Sequence, residues 1–103
     1  MIQVLAFVTA KPGMRNMVLQ PLQACLKQIR AEPGCVSYEL KVDIADAGDF
    51  PHTKVGEDSF VVVEKWENLE ALKIHSVAPH ITDLRATIAD FVANRVLHVL
   101  HDV

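Results

Sequence analysis

The residues best suited to chemistry stand close together in VVVEKWENLEALKIHSVAPHI, Val61 to Ile81. This stretch holds the only tryptophan, Trp66, and two of the five histidines, His75 and His80. An imidazole titrates near pH ~6.5, so His75 is a candidate base or proton shuttle. The indole of Trp66 can wall or stack on an aromatic ring, and its N–H can bond an oxygen substituent. Glu64 can orient a histidine or border a pocket. His80 follows Pro79 at an expected helix start, where the dipole disfavours the imidazolium. Tyr38 and Phe60 are the aromatic residues of the neighbouring strands that could border the same space. Each candidate also has a purely structural reading: Trp66 as a core anchor, His75 as a partly exposed residue near a helix C-terminus where the dipole favours a cation, His80 as a structural residue, Glu64 as a solvated or paired acid, Tyr38 as a sheet-face residue.

The elements that must position these groups follow from periodicity. Ile2 to Ala10 is rich in β-branched and aromatic residues and ends at Lys11-Pro12-Gly13, which predicts a strand and a turn. Val18, Leu22, Cys25, Leu26 and Ile29 recur at helical spacing, with Pro21 inside the pattern and Glu32-Pro33-Gly34 as its stop. Cys35 to Val42 predicts a second strand, Asp43 to Ser59 a long polar loop, and Phe60 to Trp66 a third strand. In that strand Phe60, Val62, Glu64 and Trp66 share one face, and Val61, Val63 and Lys65 the other. Asn68 is suited to cap a short helix through His75. Pro79 opens another, with an apolar face of Ile81, Leu84, Ile88, Phe91 and Val92. Asn94 to His101 is the last strand. His98 and His101 lie three apart in it, on opposite faces, so they do not share a metal.

This order predicts one domain, residues 1–103, of the α+β class: a ferredoxin-like split β-α-β arrangement with a four-stranded antiparallel sheet and helices on one face. The first and third strands are apolar on both faces. Helices cover only one face, so the other is expected to meet a second copy in a homodimer. Ten basic residues against thirteen acidic ones give a net charge of -3, with no basic cluster, so nucleic acid is not an expected partner. The first segment has no basic region before its apolar run and is far short of the ~20 apolar residues of a membrane span, so neither a leader nor a membrane anchor is expected. Cys25 and Cys35 lack metal or redox spacing, consistent with reduced thiols in the cytoplasm.

The opening strand with Lys-Pro-Gly, the segment RAEPGCVSYEL (Arg30 to Leu40) and the spacing of Phe60, Glu64, Trp66 and His75 resemble the antibiotic biosynthesis monooxygenase family, over nearly the whole chain. The resemblance implies a dimeric α/β barrel, two sheets back to back with a pocket between sheet and helices in each subunit. It implies oxidation of a small aromatic or quinol-type substrate by molecular oxygen with no metal or other cofactor, His75 acting as base and Trp66, Glu64, Tyr38, His80 and Phe60 contacting substrate. Other relatives isomerise small phosphorylated carbonyl compounds, and a non-catalytic binding or stress-related module is a further alternative. Haem-degrading relatives use a first-strand asparagine where this chain has Ala6, which argues against that branch. The loop Asp43 to Ser59 is longer than the family's usual connection and could lid the pocket or extend an interface.

Overall fold

In the computed structural model, which describes residues Met1–Val103, strand β1 spans Ile2–Ala10 and helix α1 spans Arg15–Arg30. Strands β2 (Cys35–Lys41) and β3 (Ser59–Trp66) follow, then helices α2 (Leu69–Val77) and α3 (Pro79–Ile88) and strand β4 (Val92–Leu100). The strands form one antiparallel sheet in the order β2-β3-β1-β4. This is the ferredoxin-like α+β architecture that the sequence predicts. No helix is long and apolar enough to cross a membrane.

Strand alternation builds the core. Val4, Ala6, Val8 and Ala10 of β1 and Phe60, Val62, Glu64 and Trp66 of β3 are buried on the face beneath the helices. Helix α1 answers with Val18, Leu22 and Ile29, and α3 with Ile81 and Leu84. Helix α1 runs through Pro21, and Lys27 and Arg30 in its last turn suit the negative end of the dipole. At Asn68 the side chain accepts a hydrogen bond from the Ala71 N–H at 2.9 Å, the cap expected for α2.

The opposite face is also apolar. Across it Val61 pairs with Phe7 and Phe7 with Val96, in register. Phe7 and Val96 are 39% and 43% exposed, well beyond what a finished core leaves open. Strand β4 begins at Val92 rather than Asn94, because Val92 pairs with Ala10 past an irregularity at Thr9/Ala10. The α3 stripe accordingly ends at Ile88. Phe91 falls in a 3-10 turn, Ala89–Phe91, whose carbonyl accepts from the Lys11 N–H at 2.8 Å. The long connection between β2 and β3 contains no helix or strand. Its base is closed by Asp43, whose carboxylate accepts from the N–H groups of Val55 (3.0 Å) and Gly56 (2.9 Å).

Gly34 joins this frame to α2. Its φ of +82° is left-handed, and a Cβ there would lie 2.5 Å from the Ala71 Cβ. Its carbonyl accepts from the Glu67 N–H at 2.8 Å. Gly34→Ala is therefore expected to cost about 2–4 kcal/mol in urea denaturation, from backbone strain and overpacking together. Ala71→Gly in the same chain should relieve the steric part, giving a coupling of about 1 kcal/mol or more in the double-mutant cycle. A coupling near zero would show that the close approach does not limit the site.

Candidate functional site

The register sets the site in rows across the sheet. Tyr38 pairs with Glu64 and Glu64 with Val4, which places an acid and a phenol side by side on the covered face. Both are buried, at 6% and 4% exposed. One oxygen of Glu64, Oε1, accepts a 2.9 Å hydrogen bond from Trp66 Nε1. Trp66 is fully buried. The His75 ring packs on the indole with centroids 4.6 Å apart and a 42° tilt, and lies 5.8 Å from the Tyr38 ring. Trp66 and His75 thus press against one another.

A residue that the sequence does not advertise holds this corner. Glu32, in the turn after α1, accepts from His75 Nδ1 at 2.9 and 3.0 Å and from His80 Nε2 at 2.8 Å. A carboxylate only accepts, so His75 must carry its proton on Nδ1 and His80 on Nε2. Each ring can supply that one proton while neutral, so both bonds form without a charged imidazole. His75 keeps its lone pair on Nε2.

Between the sheet and helices α1 and α3 lies a cavity of about 340 Å³. Its walls are mostly apolar, with Ala6, Val62 and Phe60 from the sheet and Ile81, Leu84 and Ile88 from α3. Of the expected site residues, Tyr38, Phe60 and Glu64 line it, whereas Trp66, His75 and His80 do not. No residue of the 43–58 loop lines it either. The Tyr38 hydroxyl and the Glu64 Oε2 make no hydrogen bond with the protein, yet no fully buried side-chain N or O lacks a partner. Both atoms therefore remain reachable, from the cavity their residues line.

Burial governs the electrostatics. It pushes the Glu64 carboxyl above its ordinary value against the lowering effects of the Trp66 N–H and Arg95, while the charge of Glu32 adds to the rise. Burial and the neighbouring Glu64 charge keep the Tyr38 phenol protonated far beyond its usual range. Burial also lowers His75 below 6.5, opposed by its hydrogen bond and attraction to Glu32 and reinforced by Arg85 and His80. The Cys35 thiol is raised, by burial first and then by Glu32 and Glu64.

Sequence reasoning did not place Glu32, Arg85 or Arg95. Glu32 reads as part of a helix stop, and nothing local marks its bonds to residues 43 and 48 positions away. The arginines both line the cavity and left a usable signal. Arg95 shares the inward face of β4 with Leu97 and Val99, and Arg85 lies four residues after Ile81 on the flank of the α3 stripe.

A sequence model described as antibiotic biosynthesis monooxygenase matches residues 1–87. The chain is 31% identical over 83 residues to "Probable quinol monooxygenase YgiN" of Escherichia coli strain K12, covering 79% of this chain and 78% of that one. The structure of Rv0793 from Mycobacterium tuberculosis superposes with a TM-score of 0.79 at 26% identity, over 99% of this chain and 94% of the other. PA3566 from Pseudomonas aeruginosa shares the fold, with a TM-score of 0.80 at 24% identity over 99% and 93% of the two chains.

The His75 environment has a measurable sign. Because its folded-state pKa lies below 6.5, the unfolded chain takes up the proton first as pH falls. The stability contributed by neutral His75 is present above pH 6.5 and is lost as pH drops from there through the folded-state value. An NMR titration should show His75 protonating below 6.5. In Glu32→Gln it should move lower still, because both effects of Glu32 are upward. A His75 that titrates at or above 6.5 would contradict the dominance of burial.

Proposed function

The chain belongs to the antibiotic biosynthesis monooxygenase family, and we propose that it oxidises a small aromatic, quinol-type molecule with molecular oxygen, needing no other co-reactant. The observation that carries this reading is the apolar cavity whose polar inner wall consists of the free oxygens of Glu64 and Tyr38. A quinol becomes easy to oxidise once it gives up a hydroxyl proton. Glu64 Oε2 is the acceptor for that proton, its affinity moved upward by burial toward the range where a base works near neutral pH. The Tyr38 hydroxyl, held protonated, donates to a substrate oxygen and stabilises the anion. Phe60 and the aliphatic walls hold the ring and leave apolar space for oxygen. One oxygen atom enters the ring and the other leaves as water. The quinol supplies both electrons and both hydrogens, so a dihydroxybenzene becomes a hydroxyquinone.

In this reading Trp66 and His75 are positioning residues. The indole N–H fixes Glu64, and the imidazole backs the indole. His80 acts with Glu32 to hold α3 over the cavity. A second reading, isomerisation of a small phosphorylated carbonyl compound, draws support from Arg85 and Arg95 at the same cavity. It consumes no oxygen, and that separates the two.

Oxygen uptake with a hydroquinone panel tests the proposal on metal-stripped protein. Wild type should consume oxygen, and Glu64→Gln should lower kcat by about 10²-fold or more. Wild-type kcat should rise with pH through a value above 4.5, a limb absent from Glu64→Gln. No uptake by wild type would remove the oxygenase reading. A folded His75→Ala as inactive as Glu64→Gln, with Glu64→Gln itself near wild type in pH response, would return the base to His75.

The reading includes a homodimer joined through the outer sheet face, supported by the exposed row of Phe7 and Val96 beside Val61. Sedimentation at micromolar concentration should give the mass of two 11.4 kDa chains. Phe7→Glu with Val61→Glu should give one, because two buried carboxylates per subunit would have no partners. A wild-type monomer would overturn the assembly.

A further inference from the structure

We infer that Arg85 and Arg95 form an anion-binding subsite at the mouth of the cavity, so that the molecule bound there carries an acidic group, a carboxylate or a phosphate, beside its ring or carbonyl. This inference rests on the cavity being the substrate site. The chain carries more acidic than basic residues, thirteen against ten. Around the cavity the balance reverses: the charged lining residues are Arg85, Arg95 and the single acid Glu64. Twelve of the fifteen lining residues are hydrophobic, and these three are the remainder.

Neither guanidinium is in an ion pair. No carboxylate lies within ion-pair distance of Arg85 or Arg95, although the chain pairs Lys41 with Glu39 and Lys73 with Glu70 on its surface. Arg85 spends one nitrogen, Nη1, on the Ser76 carbonyl at 2.6 Å, which fixes the side chain and leaves its other donors open. The Arg95 side chain makes no hydrogen bond within the protein, and it projects from the same face of the sheet as its partner Val8.

The arginines arise from different elements, α3 and the edge strand β4, and converge on one cavity. Both are exposed, so their charge costs little to maintain, whereas Glu64 is buried and its Oε1 is tied to Trp66. An uncharged quinol would require neither cation. A planar guanidinium with free, parallel N–H groups matches a carboxylate or phosphate. The geometry therefore divides the cavity: ring against Phe60, Val62 and Ala6, reacting hydroxyl toward Glu64 and Tyr38, acid group outward to Arg95 and Arg85.

Calorimetric binding of 1-naphthoate, 1-naphthyl phosphate and the uncharged 1-naphthamide tests this apart from turnover. Wild type should bind at least one of the anions about tenfold or more tightly than the amide. That preference should shrink at high salt. In Arg95→Gln and in Arg85→Gln the anion-to-amide ratio should fall, and in the double variant it should approach one, each read on protein that a melting curve shows to be folded. The stronger of the two anions identifies the acid group. Equal binding of anions and amide by wild type, no anion binding at millimolar concentration, or a preference that survives in the double variant would overturn the subsite. Oxygen uptake without an anion preference would leave the oxygenase standing and remove the subsite. An anion preference without uptake would do the reverse.

Discussion

One carboxylate, Glu32, fastens the corner on which the site depends. It is the shared acceptor for imidazoles from two helices, His75 near the end of α2 and His80 at the start of α3. The helices meet at Ala78, whose extended backbone ends one and begins the other, and Pro79 prevents them from merging. Directly across this corner Arg85 of α3 donates from Nη1 to the Ser76 carbonyl of α2 at 2.6 Å. Glu32 supplies a fixed point from the α1–β2 turn. Its side chain is only 11% exposed, so the carboxylate gives up most of its water. Three hydrogen bonds from two donors replace that water, and without the carboxylate both imidazole N–H groups would lose their partner. Helix α3 carries Ile81, Leu84, Arg85 and Ile88 on the cavity wall. The clamp therefore governs the roof of the cavity without lining it.

The floor depends on size and register. Protein interiors seldom leave space that a side chain could fill. Here the central inward position of β1 is Ala6, paired with Val62 on one side and Leu97 on the other. Large residues stand at the ends of the region instead: Phe60 at one, Tyr38 and Trp66 at the other. A small residue flanked by large ones makes a hollow, and a leucine at position 6 would occupy it. The acid at the hollow's inner end is tolerable because Trp66 satisfies one oxygen and the cavity admits a partner to the other. Arg30 steadies the same row, donating from Nε and Nη2 to the Tyr38 carbonyl at 3.0 and 2.8 Å.

Much of this frame is legible in the sequence because its signals are local. Alternation sorts β3 into two faces, the Asn68 cap and Pro79 mark helix starts, and apolar residues on both faces of β1 and β3 announce a sheet with more to cover than three helices reach. The end of α3 is misread through Phe91 and Val92 because β4 captures Val92 by pairing with Ala10, a contact between distant segments. The candidate site divides along the same line. Tyr38, Phe60 and Glu64 reach the cavity from strands whose inward faces alternation identifies. His75 and His80 come from helices whose docking depends on Glu32, far away in sequence, and no periodicity reports it. Residue type draws attention to a tryptophan and a histidine. Whether such groups face space or each other is decided by packing.

That packing changes what the conspicuous residues can contribute. An imidazole whose Nδ1 is committed to a carboxylate and whose faces meet Trp66 and Tyr38 has little freedom to follow a substrate. It is well suited to keeping an indole still. The indole in turn directs its N–H to Glu64, so rigidity passes from Glu32 through His75 and Trp66 to the one carboxylate that opens on the cavity. Glu64 then has one oxygen fixed and one available, which is the arrangement a proton acceptor needs: orientation without saturation. A histidine placed directly in the cavity would have offered a base already matched to neutral pH. The buried carboxylate is instead moved upward, by burial first and by the charge of Glu32 after it, and that burial depends on the clamped roof and the apolar walls.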